Sequence, residues 1–205
     1  MKLVFIGGAS GVGKTSLLKA FLDIKQINTG DEFKRFMMLP GRDEIRNGDW
    51  SVFESEVTES LIDLISCAVK KGEDLIIDTH FAAKIFAKRY RIGLKEKYLY
   101  QIGQSIFSLD LENVSEILTI LVATDPLLLL ARRRLDRSRN RELIPSDCFN
   151  DLRNNDIYSS RYMASIRRAA WDRFNNQPKV KIQYEIVKNN VFEQAQNMID
   201  KLLRR

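Results

Sequence analysis

A glycine-rich segment near the amino terminus carries the clearest chemical signal in the sequence. Gly8-Ala9-Ser10-Gly11-Val12-Gly13-Lys14-Thr15 matches the pattern G-x-x-x-x-G-K-[ST] at every fixed position. Such glycines let the backbone curl so that N–H groups point at phosphate oxygens, and the lysine adds a cation. The helix that begins here presents further free N–H groups and its positive dipole end to the anion. The pattern therefore predicts a site for the polyphosphate of ATP, extending to Ser16.

The same loop predicts a place for Mg²⁺. In proteins with this loop, the Ser/Thr after the lysine and an aspartate elsewhere hold the ion, which points to Thr15 and a strand-end carboxylate. Two predicted strands end in aspartate, at Asp78 and Asp125. Because Asp125 precedes Pro126, it is typical of a helix cap, and we assign the metal role to Asp78. We expect His80 to donate a hydrogen bond near the acceptor rather than to bind the metal.

A parallel sheet is needed to position these residues. Apolar strand-like runs alternate with longer segments of helical periodicity, which is typical of a layered α/β fold. The predicted strands are Lys2–Gly7, Gln26–Asn28, Asp74–Asp78, Ile117–Thr124 and Val180–Val187. The predicted helices are Lys14–Leu22, Trp50–Lys71, Pro126–Leu135, Asp156–Phe174 and Val191–Leu203. We therefore predict a three-layer α/β/α P-loop NTPase fold with a five-stranded parallel sheet, while the conformation of Phe81–Asp110 stays open.

The composition fits one enzyme-sized domain. The chain has 205 residues, of which 44% are hydrophobic and 29% charged, as in ordinary globular proteins. Cys67 and Cys148 lie far apart and His80 is the single histidine, which argues against a disulfide scaffold or a zinc site. The net charge of +6 suggests an anionic partner. No apolar run is long enough for a membrane span, so we expect a cytoplasmic protein with no membrane partner.

Missing motifs narrow the class of P-loop protein. The sequence has no Asn-Lys-x-Asp guanine motif and no LSGGQ-like signature, which argues against a GTPase and a transporter-type ATPase. A large remodelling ATPase would need more than 205 residues. A small kinase that transfers a phosphoryl group to a small acceptor remains.

Several short motifs resemble nucleoside monophosphate kinases, in particular the archaeal-type adenylate kinase family. They are Ile27-Asn28-Thr29-Gly30-Asp31, Arg42-Asp43-Glu44-Ile45-Arg46, Asp78-Thr79-His80 and the closing segment 180–205. The resemblance implies an adenylate-kinase-like fold, in one kinase domain over residues 1–205 with a monophosphate-binding insertion at residues 29–72. It implies ATP and Mg²⁺ as ligands and a nucleoside monophosphate, expected to be AMP, as acceptor. The acceptor-side residues would be Thr29, Lys34 or Arg35, Arg42, Arg46 and His80.

An arginine cluster follows the fourth predicted strand. It comprises Arg132, Arg133, Arg134, Arg137, Arg139 and Arg141. Planar guanidinium groups suit the charge that phosphoryl transfer spreads over the equatorial oxygens. The resemblance implies a closing lid at residues 135–146, with Arg137, Arg141 and Arg161 contacting phosphate. A solvated basic helix face is one alternative; nucleic-acid contact is another, although the cluster lacks interleaved aromatic residues for base stacking.

The expected catalysis is alignment and charge neutralisation by Lys14, the lid arginines and Mg²⁺, because a monophosphate acceptor is already anionic. Two alternatives stay open. A kinase acting on a hydroxyl of a nucleoside, a metabolite or a polynucleotide 5′ end would need a carboxylate base, and Asp78 is placed to serve. A nucleotide-dependent switch or RNA-associated ATPase would use the same loop with a larger partner.

Overall fold

The fold is seen in a computed structural model that describes residues 1–38, 50–85, 89–108, 114–136, 145–174 and 180–204. The strands are β1 Lys2–Gly7, β2 Lys25–Asn28, β3 Leu75–Asp78, β4 Ala82–Ile85, β5 Arg89–Ile92, β6 Glu116–Ala123 and β7 Lys181–Lys188. The α-helices are α1 Lys14–Leu18, α2 Thr29–Met37, α3 Glu54–Lys71, α4 Glu96–Ser108, α5 Pro126–Leu135, α6 Pro145–Phe174 and α7 Phe192–Leu203. A 3₁₀ turn at Trp50–Phe53 leads into α3.

Five of the strands form one parallel sheet in the order β2-β3-β1-β6-β7, and β4 and β5 form a separate antiparallel hairpin. Strand β1 lies at the centre, with Leu3 opposite Leu75 on β3 and Ile117 on β6. At the carboxyl edge of the sheet, Asp78 of β3 lies opposite Asn28 of β2. The sheet therefore brings the end of β2 beside the strand-end aspartate and the glycine-rich loop that follows β1.

Helices cover both faces of the sheet, and each face has its own apolar core. Leu3 and Phe5 of β1 belong to the core beneath α3, α4 and α6. Val4 and Ile6 belong to the core beneath α1, α5 and α7. Successive residues of a strand point to opposite faces, so one short apolar strand contributes to both cores. The three-layer α/β/α fold with a five-stranded parallel sheet is confirmed.

Most predicted elements are present, with ends that move by a few residues. The bounds of β1 and α5 are as predicted, and Asp125 caps α5 by accepting hydrogen bonds from the N–H groups of Leu127 and Leu128 at 2.8 and 3.3 Å. The predicted helix Lys14–Leu22 ends at Leu18, and the predicted helix Trp50–Lys71 becomes regular α-helix only at Glu54.

Helices α2 and α6 differ from the sequence prediction. Helix α2 was not predicted; it forms because Asn28 Oδ1 accepts hydrogen bonds from the N–H groups of Gly30 and Asp31 at 2.9 and 3.3 Å. The β4–β5 hairpin and α4 occupy most of the segment left open. Helix α6 begins at Pro145, eleven residues before the predicted start at Asp156. Among the described helices, none is long and apolar enough to cross a membrane.

Candidate active site

The glycine-rich loop connects β1 to α1 and has the curled backbone that its sequence predicts. Gly8, Gly11 and Gly13 have φ angles of 150°, 98° and 97°, which side chains other than glycine rarely adopt. A Cβ on Gly8 would lie 2.3 Å from the carbonyl oxygen of Val122, and a Cβ on Gly13 would lie 2.5 Å from Nδ2 of Asn189. Glycine is therefore required at Gly8 and Gly13 by both conformation and close approach.

Lys14 is buried and folds back over the loop. Its Nζ donates a hydrogen bond of 3.0 Å to the carbonyl oxygen of Gly8 and lies 4.0 Å from Oδ1 of Asp78. The exposed side chain of His80 places Nδ1 3.3 Å from the same Gly8 oxygen. The ammonium group thus lies within the curl of the loop, where it can exchange these oxygens for phosphate oxygens.

Asp78 connects the loop to the predicted acceptor side. Its Oδ2 accepts a hydrogen bond of 2.7 Å from the side-chain amide of Asn28. Thr29, the next residue, is buried, and its hydroxyl lies 3.3 Å from both the Asp78 carbonyl oxygen and the Thr79 hydroxyl. Two neighbouring strand ends and the loop lysine therefore form one polar cluster at the carboxyl edge of the sheet.

The two residues assigned to Mg²⁺ suit that ion. The described residues contain no cluster of three or more His, Cys, Asp or Glu side chains that could hold a metal. Mg²⁺ needs no such cage, because it binds through one or two protein oxygens together with substrate phosphates and water. Thr15 is exposed in the first turn of α1, and Asp78 supplies a carboxylate. A hydroxyl and one carboxylate beside a phosphate loop match this pattern.

Two arginines and an asparagine hold the loop from outside. Arg133 Nε and Nη2 both donate to the carbonyl oxygen of Ser10, at 3.0 and 2.9 Å. Arg132 Nη1 and Asn189 Nδ2 both donate to the carbonyl oxygen of Val12, at 3.1 and 2.7 Å. Partial burial lowers the pKa of the Arg132 guanidinium, which nevertheless stays charged at neutral pH. The carbonyl groups of residues 10 and 12 are thereby fixed on the outer side of the loop.

The β4–β5 hairpin and α4 are fixed to α3 by a buried carboxylate. Glu54, at the start of α3, is fully buried and lies 2.7 Å from Arg91 Nη2 and 2.9 Å from Lys95 Nζ. It also accepts a hydrogen bond of 3.2 Å from the backbone N–H of Lys95. The N–H of Gly93 donates a hydrogen bond of 2.8 Å to the carbonyl of Phe81, three residues after Asp78, and closes the base of the hairpin. The chain after Asp78 is therefore held close to the candidate site.

On the acceptor side, the two alternatives Lys34 and Arg35 have different surroundings. Arg35 Nη2 lies 2.8 Å from the Ser60 hydroxyl and 2.9 Å from Oε2 of Glu32, so its guanidinium connects α2 to α3. Lys34 is half-buried on α2, and contact of either residue with an acceptor phosphate stays a prediction.

Of the other predicted arginines, the structure describes only Arg161. Arg42, Arg46, Arg137 and Arg141 lie outside the described residues. Arg161 is exposed on α6, with its guanidinium carbon 5.5 Å from the centre of the Tyr158 ring. The phosphate contacts of these residues stay predictions.

Four residues of the site were missed by sequence reasoning: Asn28, Arg132, Arg133 and Asn189. Asn28 carried a signal, because asparagine before Thr29-Gly30-Asp31 is typical of a helix cap. The two arginines were visible only as members of a basic cluster, since helical geometry alone does not show which of them turns inward. No sequence pattern indicated a role for Asn189, because its partner Val12 lies 177 residues away.

Comparison with known proteins bears on the fold. No protein-family model and no curated protein sequence matches the chain. A protein of Chloroflexus aurantiacus, provisionally called a kinase, is 17% identical and has a TM-score of 0.53 over 99% of this chain and 96% of its own. An unliganded sugar kinase from a Janibacter species is 13% identical and has a TM-score of 0.52 over 100% of this chain and 95% of its own.

These two likenesses, both with TM-scores above 0.5, show that the chain has the P-loop kinase fold. A shikimate kinase from Aquifex aeolicus aligns over 100% of this chain and 96% of its own, at 18% identity and a TM-score of 0.49. Identities this low show the fold alone. The likeness supports the P-loop kinase fold in general, and not the adenylate kinase family in particular.

Proposed function

We propose that the protein is an ATP-dependent phosphotransferase that moves the γ-phosphoryl group of ATP to a nucleoside monophosphate, with AMP as the expected acceptor. The observation that carries the proposal is the position of Lys14. Its buried ammonium lies inside a loop with three positive-φ glycines, 3.0 Å from the Gly8 carbonyl and 4.0 Å from the Asp78 carboxylate. A buried lysine held by exchangeable oxygens, within a glycine-rich loop that leads into a helix, is suited to a polyphosphate.

In this proposal the loop binds the donor. N–H groups of the loop and the first turn of α1 hold the β- and γ-phosphates, and Lys14 neutralises the charge that develops on transfer. Mg²⁺ held by Thr15, Asp78 and the nucleotide would neutralise phosphate charge when bound. The lid at residues 135–146, with Arg137 and Arg141, and Arg161 on α6 would close over the donor and exclude water.

The acceptor would lie beside α2, in the insertion at residues 29–72. Lys34, Arg42 and Arg46 supply cations for an acceptor phosphate, and His80 supplies a ring nitrogen near the loop. Thr29 acts mainly by fixing the start of α2 against β3, because its hydroxyl already contacts the Asp78 carbonyl at 3.3 Å.

A hydroxyl acceptor is the second candidate, and two observations favour it. Asp78 presents a buried carboxylate beside Lys14, which suits removal of a proton from a hydroxyl. The Janibacter neighbour, at a TM-score of 0.52, is a sugar kinase. In this case Asp78 would act as the base, and the acceptor would need no phosphate of its own.

One assay separates these proposals. The protein is incubated with Mg-ATP alone and with AMP, GMP, CMP, UMP, nucleosides, sugars or RNA, and ADP formation is measured with identification of the product by mass spectrometry. We expect ADP formation that depends on a monophosphate and is lost in Lys14→Met. A phosphorylated sugar or nucleoside would favour the second candidate. Hydrolysis stimulated only by RNA would contradict both.

A further inference from the structure

Arg133 belongs to the arginine cluster, but its side chain is directed at the loop backbone and not at the solvent side of α5. It is 4% exposed, and both Nε and Nη2 donate to one oxygen, the Ser10 carbonyl, at 3.0 and 2.9 Å. We propose that Arg133 is a positioning residue that keeps the phosphate loop in its binding shape before any nucleotide arrives. The inference deepens the proposed function and rests on it for the identity of the ligand.

Peptide geometry explains how an outer contact orients an inner group. In a trans peptide, the C=O of one residue and the N–H of the next point in opposite directions, and the described chain has no cis peptide bond. A Ser10 carbonyl held on the α5 side therefore turns the N–H of Gly11 toward the concave side of the loop. The Val12 carbonyl, held by Arg132 and Asn189, does the same for the N–H of Gly13.

Ion pairing keeps the buried Arg133 in place. Its Nη2 forms a close ion pair with Oδ2 of Asp151 on α6, and the other oxygen of Asp151 accepts a hydrogen bond from the Tyr90 hydroxyl on β5. A buried guanidinium without a carboxylate partner would carry a large desolvation cost. The loop contact thus depends on two elements outside the loop, the helix after the predicted lid and the hairpin.

A purely structural role predicts a different arrangement. An arginine that only joined α5 to α6 would need the ion pair with Asp151, but not two hydrogen bonds to a single loop carbonyl. The adjacent Arg134 is exposed on the same helix, so basic charge on α5 is separable from the loop contact. This neighbour supplies a matched control.

The test measures polyphosphate binding, which needs no knowledge of the acceptor. Inorganic tripolyphosphate and ATP are titrated by calorimetry into the full chain, as wild type, Arg133→Lys, Arg133→Gln and Arg134→Lys. Lysine at 133 retains a charge for Asp151 but cannot donate from two sites of a planar fork. We expect Arg133→Lys to bind both ligands about tenfold more weakly, as expected for loss of a hydrogen bond from a charged donor. Arg134→Lys should bind them as the wild type does.

Melting curves and ¹⁵N–¹H spectra complete the test. If Arg133→Gln does not fold, the test uses the binding and spectra of Arg133→Lys alone, measured at a temperature where its melting curve shows a folded protein. We expect the amide signals of Gly11 and Gly13 to shift or broaden in Arg133→Lys and to keep their wild-type positions in Arg134→Lys. Unchanged affinity and unchanged amide signals in folded Arg133→Lys would overturn the positioning role. A wild type that binds neither ligand would overturn the proposed function, and the amide signals would then decide the positioning role.

Discussion

The carboxylate of Asp78 accepts a hydrogen bond of 2.7 Å from the side-chain amide of Asn28, and its other oxygen lies 4.0 Å from the Lys14 ammonium. Asn28 and Asp78 lie opposite each other in the adjacent parallel strands β2 and β3, so their contact follows from the sheet register. Asn28 also caps α2, which carries the candidate acceptor residues Thr29 and Lys34. The donor loop and the acceptor helix therefore share one buried polar cluster. Substitutions within this cluster should distinguish transfer to a monophosphate from transfer to a hydroxyl.

Replacing Lys14 tests the donor site. We expect Lys14→Met to lower turnover by several orders of magnitude, because the buried ammonium would stabilise the charge that develops on phosphoryl transfer. The fold should persist, since methionine has a similar length and the Lys14 partners are loop and strand oxygens. Steady-state ADP formation and a thermal melt measure the two effects. Wild-type turnover in the purified variant would refute the site.

Replacing Asp78 separates the acceptor classes. Asp78→Asn should abolish transfer to a hydroxyl, which needs a base, and only weaken transfer to a monophosphate, which does not. The control is Asp125→Asn, which changes the other strand-end aspartate, a helix cap outside the cluster. Transfer rates with both acceptor types are compared for the two variants. Equal, small losses in both reactions would exclude a role for Asp78 as the base.

Glycine substitutions test the strain in the loop. Gly13→Ala forces a Cβ to within 2.5 Å of Asn189 Nδ2 at a φ of 97°, whereas Gly72→Ala, at a φ of 66°, meets no atom within 4 Å. We expect Gly72→Ala to lower the free energy of unfolding by roughly 1–2 kcal/mol for its left-handed backbone alone. Gly13→Ala should cost more and should also weaken ATP binding. Urea denaturation and calorimetry measure these effects; equal costs would contradict the packing of Asn189 against the loop.

The buried carboxylate of Glu54 should be essential for stability. Glu54→Gln leaves the cations of Arg91 and Lys95 without their carboxylate, and breaking a buried pair typically costs about 3–5 kcal/mol. Glu56→Gln, two residues further along the same helix and exposed, should change the free energy of unfolding by less than about 0.5 kcal/mol. Urea denaturation of the two variants gives the comparison. A similar, small change in both would show that the hairpin does not depend on Glu54.

Alkaline pH should destabilise the protein through Tyr162. Burial raises the pKa of Tyr162, which is fully enclosed against Phe5 and Phe81. A group whose pKa is raised on folding stabilises the native state fully below its unfolded pKa of about 10, and this contribution is lost as pH rises further. Tyr162→Phe should therefore reduce the fall in unfolding free energy between pH 9.5 and 11, as measured by urea denaturation at each pH. An identical fall in both proteins would contradict this role.

The sequence predicts well those features that are determined by residues close to one another along the chain. The glycine loop, the five sheet strands and the Asp125 cap each follow from residue types at short spacing, and β1 and α5 have the predicted bounds. A strand buried on both faces is a continuous apolar run, and a cap is a polar residue before a helix. Both features can therefore be predicted from a short segment of the sequence.

Only the tertiary structure decides which polar groups meet. Arg133 and Ser10 are 123 residues apart, and Asn28 and Asp78 are 50 residues apart, so no local pattern relates them. The hairpin is likewise held by distant partners, such as the Asn155 side chain of α6, which accepts a hydrogen bond from the Ala82 N–H at 3.2 Å. Periodicity along a chain records which residues are apolar, whereas a hydrogen bond depends on where two distant groups are brought by the packing of the whole sheet.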